Sequence, residues 1–104
     1  MSATLLQRIR ARLEQTYGDR LKGLMLYGSE ARGEAKADSD IDLLVLLEGP
    51  LMMNEEIKRT VDAIYPLQLE ETGRPIHALP VDAAHYHSGR RALYRNVRRE
   101  GIVV

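Results

Sequence analysis

Cysteine, tryptophan and phenylalanine are all missing from this chain, and five tyrosines are its only large aromatic side chains. Without cysteine there is no disulfide framework, no thiolate metal site and no cysteine nucleophile. No apolar run is long enough to span a membrane, and the N-terminal residues lack the apolar core of a signal peptide. We therefore expect a cytoplasmic protein with no membrane partner.

An excess of either charge is also missing, because 15 basic residues balance 15 acidic ones. This balance disfavours general nucleic-acid binding, which usually needs a basic surface. The 104 residues fit a single domain, residues 1–104, and a composition that is 44% apolar allows one modest core. A domain of this size buries a small share of its surface, so a partner subunit would help its stability.

Helical spacing of apolar residues predicts a first and a second helix. The first carries its apolar side chains every four residues, with a cap before it and a glycine after it: Leu5, Ile9, Leu13 and Tyr17, between Ser2 and Gly18. In the second, Asn54 is the expected cap and Pro66 the expected end. Its predicted buried side consists of Met53, Ile57, Val61 and Ile64.

A last helix is predicted from Arg90 to Arg99, followed by a short strand. Ser88 is its expected cap, and Gly101 is its expected end. Its inward side chains are predicted to be Leu93 and Val97. The apolar tail Ile102-Val103-Val104 is then expected to add a strand.

Two apolar runs predict buried strands, Leu21 to Tyr27 and Ile41 to Leu47. The second run is continuous, which is typical of a central strand buried on both faces. Alternation around Leu67 and Leu69, then a turn, then Pro75 to Leu79, predicts a hairpin. The fold class is therefore α/β, with a small mixed β-sheet backed by helices.

The chemically informative segment lies between Gly28 and Leu47, and its centre is a pair of carboxylates. Asp40 and Asp42 are two residues apart at the start of a strand, so their side chains point to the same face. Two neighbouring carboxylates repel each other, and burying them unpaired is unfavourable. Their oxygens suit Mg²⁺, which commonly takes one or two carboxylates together with substrate phosphates.

A glycine-serine turn precedes this pair by ten residues. Gly28 lets the backbone come close to a ligand, and the N–H groups of a short helix after it favour phosphate oxygens. The Ser29 hydroxyl and the Arg32 guanidinium lie within one turn and suit the same phosphates. Taken singly, each feature is more often structural; Ser39-Asp40 alone, for example, is a common turn. Together they favour metal-assisted nucleotidyl transfer.

This pattern, Gly-Ser followed after ten residues by Asp-x-Asp, resembles the signature of the polymerase-β-type nucleotidyltransferase superfamily. Ala31-Arg32-Gly33 and Ser39 add a resemblance to its minimal nucleotidyltransferases, as does the stretch from Tyr94 to Gly101. The resemblance implies a polymerase-β-like fold. It also implies that Asp40 and Asp42 bind the metal, and that the triphosphate is held by Gly28 and Ser29, with Arg32 and Ser39 as further nucleotide-binding residues.

One part of the family pattern is not found, namely a third carboxylate on a neighbouring strand. Glu70 is the best candidate, since it ends the first strand of the predicted hairpin, and Asp82 is next. His77 lies on the following strand. His85 and His87 could chelate a metal, but histidines in a polar stretch are more often surface residues. Without a third carboxylate, nucleotide binding remains plausible while catalysis would be weak.

The resemblance also implies a substrate and a partner. ATP is the implied donor and Mg²⁺ the cofactor. Minimal nucleotidyltransferases are commonly paired with a HEPN-domain protein, so the implied role is an antitoxin that transfers AMP onto a tyrosine of a HEPN ribonuclease toxin. The alternative is a binding module that neutralises its partner by contact. Five arginines without an intervening acid, at positions 90, 91, 95, 98 and 99, suit either a partner surface or a solvated helix face.

Overall fold

The computed structural model describes residues 3–36 and 38–104. Its helices and strands follow in this order: α1 (Ala3–Tyr17), β1 (Leu21–Tyr27), α2 (Gly28–Ala31), β2 (Ile41–Leu47), α3 (Met53–Leu67), β3 (Ile76–Asp82), α4 (Ala83–Ser88), α5 (Ala92–Glu100) and β4 (Ile102–Val103). A 3-10 turn, Gly18–Arg20, joins α1 to β1, and a π-helical turn, Gln68–Thr72, extends α3. No helix among the described residues has the length and apolarity needed to cross a bilayer.

The four strands form one mixed sheet in the order β3-β2-β1-β4. β1 pairs antiparallel with β2 and with β4, whereas β2 and β3 run parallel because α3 carries the chain back between them. The α/β class with a mixed sheet is therefore confirmed. The predicted strands at Leu21–Tyr27 and Ile41–Leu47 are also confirmed, and β2 is central as expected.

Helices cover the sheet on both faces, and each face has its own apolar cluster. On the first face, α1 and α3 pack against the odd-numbered side chains of β2. The α1 residues predicted to face the core are indeed buried: Leu5, Ile9, Leu13 and Tyr17. Gly18 follows the end of α1, as predicted, whereas the proposed cap Ser2 lies outside the described residues. On the second face, α4 and α5 pack over Met25, Leu44 and Leu46.

The predicted buried side of α3 is wrong. Met53, Ile57 and Val61 are 42%, 43% and 52% exposed, and among the predicted residues only Ile64 is buried. The buried side instead consists of Glu56, Thr60, Ala63, Ile64 and Leu67. The helix also begins at Met53, one residue before the proposed cap Asn54. Met52 occupies the cap position and makes no side-chain hydrogen bond there.

Partners from α1 and the following turn explain why two polar residues are buried on α3. The Arg20 guanidinium lies 2.7 Å from the Glu56 carboxylate. The Tyr17 hydroxyl donates to the backbone carbonyl of Glu56 at 3.0 Å and lies 2.8 Å from the Thr60 hydroxyl. Buried polar groups are tolerated where they find such partners. Hydrophobic spacing alone could not identify this face, because its polar members look like solvent-facing residues.

The predicted hairpin between α3 and β3 is also wrong. Pro66 lies inside α3, and the chain continues as the π-helical turn until Gly73, whose φ of 69° ends it. Leu67 and Leu69, which suggested a strand, are instead a buried helical residue and one that is 62% exposed. The alternation of two leucines is too short to distinguish a strand from the end of a helix. Only the second half of the predicted hairpin is a strand.

The C-terminal region contains two helices where one was predicted. Gly89, with φ 67°, ends α4, and α5 begins at Ala92, so Ser88 ends α4 and does not cap α5. The Arg95 guanidinium holds this turn by donating to the carbonyls of Gly89 and Arg90. Inward on α5 are Tyr94 and Val97, whereas Leu93 is 39% exposed. The predicted end at Gly101 and the final strand are confirmed.

Candidate active site

Three side chains from three neighbouring strands lie in one row at one end of the sheet. Asp42 is in register with Tyr27 on β1 and with His77 on β3. Asp40 precedes β2, and its carboxylate lies 3.2 Å from Nε2 of His77. Because side chains alternate along a strand, Asp42 shares the sheet face of Leu44 and Leu46. The predicted pair of aspartates is therefore at the edge of the second apolar cluster.

The glycine-serine turn lies directly beside this pair. Gly28 has φ 73°, a conformation that residues with a side chain rarely adopt. A Cβ atom at this position would lie 2.5 Å from Oδ2 of Asp42. The turn after β1 is therefore packed against the carboxylate on β2, and a glycine is required both by the backbone conformation and by the space. Ser29 follows within α2, where its carbonyl accepts from the N–H of Glu34 at 2.9 Å.

Burial raises the pKa of the Asp42 carboxyl above its ordinary value. His77 and Arg32 act in the opposite direction, while the neighbouring Asp40 raises the pKa further. Burial likewise raises the pKa of the Tyr27 hydroxyl, and Asp42 adds to that shift. The site therefore holds a carboxylate whose charge is unfavourable in the folded protein. A cation bound between Asp40 and Asp42 would relieve this cost.

The other two predicted nucleotide-binding residues, Arg32 and Ser39, have different surroundings in the structure. Arg32 lies 3.2 Å from the Glu34 carboxylate through Nε, and it lines a cavity together with Gly28. The Ser39 hydroxyl accepts from the backbone N–H of Lys36 at 2.8 Å, as in a turn. The Ser39 hydroxyl therefore stabilises the turn before Asp40 by accepting a hydrogen bond from the backbone.

A buried ion pair that the sequence reasoning missed joins the two halves of the site. Nη2 of Arg74 lies 2.6 Å from Oε1 of Glu30 on α2, and both side chains are largely buried. The same arginine donates through Nε to the carbonyl of Ser39 at 2.9 Å. Burial alone would raise the pKa of Glu30, but the Arg74 bond holds it below its ordinary value. Arg74 thus connects the loop that leads to Asp40 with α2, the helix that begins at Gly28.

Neither candidate for the third carboxylate lies on a strand beside Asp42. Glu70 belongs to the π-helical turn before β3. Asp82 is in register with Leu47 at the opposite end of β2, where its carboxylate accepts from the N–H of Ala84 and caps α4. The β3 residue in register with Asp42 is His77 instead. Among the described residues, no group of three or more His, Asp or Glu side chains is arranged to hold a metal.

The donor set nevertheless fits Mg²⁺ in a substrate-dependent site. Two carboxylates can supply hard oxygen ligands, and the remaining ligands of Mg²⁺ are commonly waters and substrate phosphates. The two other histidines are far from this set along the sheet. His85 and His87 lie on α4, which begins where β3 ends, and His85 lines a separate open groove with Asp82 and Arg91.

Residues 6–102 match the family of the nucleotidyltransferase domain. The chain therefore belongs to the nucleotidyltransferase-domain family. A protein described as a minimal nucleotidyltransferase has a similar structure, with a TM-score of 0.59 and 28% identity over 97% of this chain and 93% of that one. No curated protein sequence matches the chain.

Two further solved structures share the fold. A chain from a toxin-antitoxin structure with AMP-PNP is 20% identical, with a TM-score of 0.62 over 93% of this chain and 69% of that one. The spectinomycin adenyltransferase of Enterococcus faecialis, solved with ATP and spectinomycin, is 17% identical, with a TM-score of 0.61 over 86% of this chain and 36% of that one. At these identities the likeness concerns the fold alone.

Proposed function

We propose that this chain transfers AMP from ATP onto a tyrosine hydroxyl of a partner HEPN ribonuclease toxin, and so acts as its antitoxin. The observation that carries the proposal is the contact between Gly28 and Asp42, which puts a backbone turn suited to phosphate against the paired aspartates. Membership of the nucleotidyltransferase-domain family supports the reaction type. The likeness to a chain of a toxin-antitoxin structure with AMP-PNP supports the choice of partner class and nucleotide.

Each site residue has a distinct role in this proposal. Asp40 and Asp42 bind Mg²⁺, which supplies charge neutralisation for the triphosphate and for the departing pyrophosphate. Gly28 and Ser29 hold the triphosphate by backbone and hydroxyl groups, and Arg32 adds a positive charge beside them. Arg74 keeps the aspartate loop and α2 in place through Glu30 and Ser39. Positioning and electrostatic stabilisation are the main demands of such a reaction.

A second function is favoured by one specific observation, the histidine at the strand position beside Asp42. Active members of the superfamily have a third carboxylate that helps to activate the attacking hydroxyl, and at this strand position the chain has His77 instead. In this alternative the chain neutralises its partner by contact, and its nucleotide site is not used for catalysis. The exposed arginines at positions 90 and 91 would then belong to the contact surface.

The experiment that separates the two functions measures the intact mass of the co-expressed toxin after incubation with ATP and Mg²⁺. Wild-type protein should add the mass of one AMP moiety per transfer. Asp40→Ala combined with Asp42→Ala should lower the rate by roughly a thousandfold or more while the complex persists, because metal binding and charge neutralisation are lost together.

The matched control reverses two exposed arginines, Arg90→Glu with Arg91→Glu. Arg95 is not suitable because its guanidinium holds the turn between α4 and α5. The control should weaken the complex, more visibly at low salt where surface charges are least screened. Neutralisation of the toxin by the double aspartate variant, with no mass gained in the presence of wild-type protein, would establish the contact mechanism instead.

A further inference from the structure

Helix α5 has two faces of different character, and the less charged one closes a cavity beside the proposed phosphate turn. Leu93, Asn96 and Glu100 follow one another at helical spacing and face a cavity of about 260 Å³. The opposite wall is formed by Tyr27, Gly28 and Arg32. Sequence reasoning assigned Leu93 and Val97 to the inward side of this helix and its arginines to a surface, and it did not single out Asn96 or Glu100.

The position of Gly28 relates this cavity to the aspartate pair. Gly28 lies against the Asp42 carboxylate and also lines the cavity. A triphosphate over the turn would reach the aspartate pair at one end. The rest of the nucleotide, the sugar and the base, would then lie at the other end, next to α5.

The chemistry of the α5 wall suits a nucleoside and not a phosphate. Glu100 is a carboxylate in the last turn of the helix, where the backbone carbonyls also carry partial negative charge. Both repel phosphate, but a carboxylate can accept two O–H bonds from neighbouring hydroxyls. The Asn96 oxygen already accepts from Arg99 at 2.7 Å, which directs its amide N–H groups to other acceptors. Leu93, 39% exposed, offers an apolar surface for a flat ring.

We propose that this cavity is the nucleoside subsite, in which Glu100 binds the ribose hydroxyls, Leu93 packs against the base and Asn96 donates to a base acceptor. The proposal rests on the proposed function, because it assumes that the triphosphate lies at Gly28. Its consequence is sugar selectivity. A ribonucleotide satisfies both oxygens of Glu100, whereas a 2′-deoxyribonucleotide leaves one without its hydroxyl partner.

The test compares the binding of three probes, ATP, dATP and inorganic tripolyphosphate, each with Mg²⁺, by calorimetry on the full chain. Wild-type protein should bind ATP about tenfold more tightly than dATP, the effect of one hydrogen bond to a charged group. Glu100→Ala should bring the two affinities within about twofold of each other and leave tripolyphosphate binding unchanged. Glu55→Ala, which removes an exposed glutamate from α3 behind the sheet, should retain the wild-type preference.

The possible failures are distinguishable. A wild-type preference for ATP over dATP that persists in Glu100→Ala overturns the role of Glu100. Equal affinity for ATP and tripolyphosphate overturns the subsite as a whole, while leaving the phosphate site intact. If the wild-type protein binds none of the three probes, the proposed function itself fails and the subsite with it. Glu100 is exposed, so its removal is not expected to affect folding, and thermal unfolding of the variant checks this.

Discussion

The two faces of the sheet differ although the same strand supplies both. On the face covered by α1 and α3, the β2 side chains Ile41, Leu43, Val45 and Leu47 are all fully buried. On the other face, β2 begins with the half-buried Asp42 and becomes apolar only at Leu44. The second apolar cluster therefore does not reach the end of the sheet. The candidate active site occupies the part of this face that α4 and α5 leave uncovered.

Glu56 on one face and Asp42 on the other are both carboxylates that burial affects, and their pKa values shift in opposite directions. The Arg20 bond lowers the pKa of Glu56 on the covered face, in spite of its burial. On the open face, burial raises the pKa of Asp42, and Asp40 adds to the rise. The fold thus compensates its structural carboxylate with its own arginine. The pKa of Asp42 stays raised although His77 and Arg32 act against the rise, and such perturbed groups are common at functional sites.

The largest expected difference between the faces comes from two adjacent residues of β2. Leu43→Ala removes a fully buried side chain, so we expect the free energy of unfolding to fall by about 3 kcal/mol. Asp42→Asn should not reduce it. A raised folded-state pKa means that the ionised Asp42 destabilises the protein at neutral pH, and the amide removes this charge. Urea unfolding of both variants measures the contrast.

The thermal unfolding temperatures of the same two variants should respond differently to ATP with Mg²⁺. ATP with Mg²⁺ should raise the thermal unfolding temperature of wild-type protein and of Leu43→Ala, because binding to the folded state stabilises it. Asp42→Asn should show no such increase. A full increase in Asp42→Asn would mean that this carboxylate is not part of the metal site.

A smaller effect is expected at the turn that joins the two halves of the site. Gly28 and Gly33 have the same φ of 73°, but only at Gly28 would a Cβ atom meet a neighbour, the Asp42 carboxylate. Gly33→Ala should therefore destabilise the protein by about 1 kcal/mol through backbone strain alone. Gly28→Ala should cost about 2 kcal/mol and should also weaken ATP binding. Equal costs for the two variants would show that Asp42 moves aside freely.

The ion pair between Arg20 and Glu56, on the face covered by α1 and α3, should make the stability of the protein depend on pH. The pKa of Glu56 is lower in the folded protein than its ordinary value of 4.5, so its contribution is complete above that value. It is lost as the pH falls through the folded-state pKa. Glu56→Gln should lower the free energy of unfolding by about 1 kcal/mol at neutral pH. Between about pH 5 and about pH 3, the stability of this variant should decrease less than that of the wild-type protein. Chemical unfolding of both proteins at these two pH values measures the difference.

The parts of the molecule that were predictable from sequence have strong local signals. The apolar run of β2 and the four-residue spacing in α1 each specify one structure. The Gly-Ser and Asp-x-Asp motifs predicted a single site, and the structure brings Gly28 and Asp42 together. The ion pair between Arg74 and Glu30 was not predictable from the sequence. Its two members are isolated charges in polar segments, and only the tertiary fold brings them within 2.6 Å.

Helix α3 shows why hydrophobic spacing can mislead. Its apolar residues at four-residue intervals lie on the exposed side, while Glu56 and Thr60 are buried because Arg20 and Tyr17 provide their partners. A pattern in one segment contains no information about partners elsewhere in the chain. The same limit applies to Leu67 and Leu69, whose alternation suggested a strand where the structure has the end of a helix.

The smallest expected effect tests this reversal of α3 directly. Ile57 and Val61 are 43% and 52% exposed, whereas Ile64 on the same helix is 3% exposed. Ile57→Ser and Val61→Ser should each change the free energy of unfolding by no more than about 0.5 kcal/mol, as surface substitutions usually do. Ile64→Ser should cost several times more, since it creates a cavity and buries a hydroxyl. Urea unfolding of the three variants gives the comparison, and a loss at Ile57 or Val61 that approaches the loss at Ile64 would mean that this side of α3 is buried in solution.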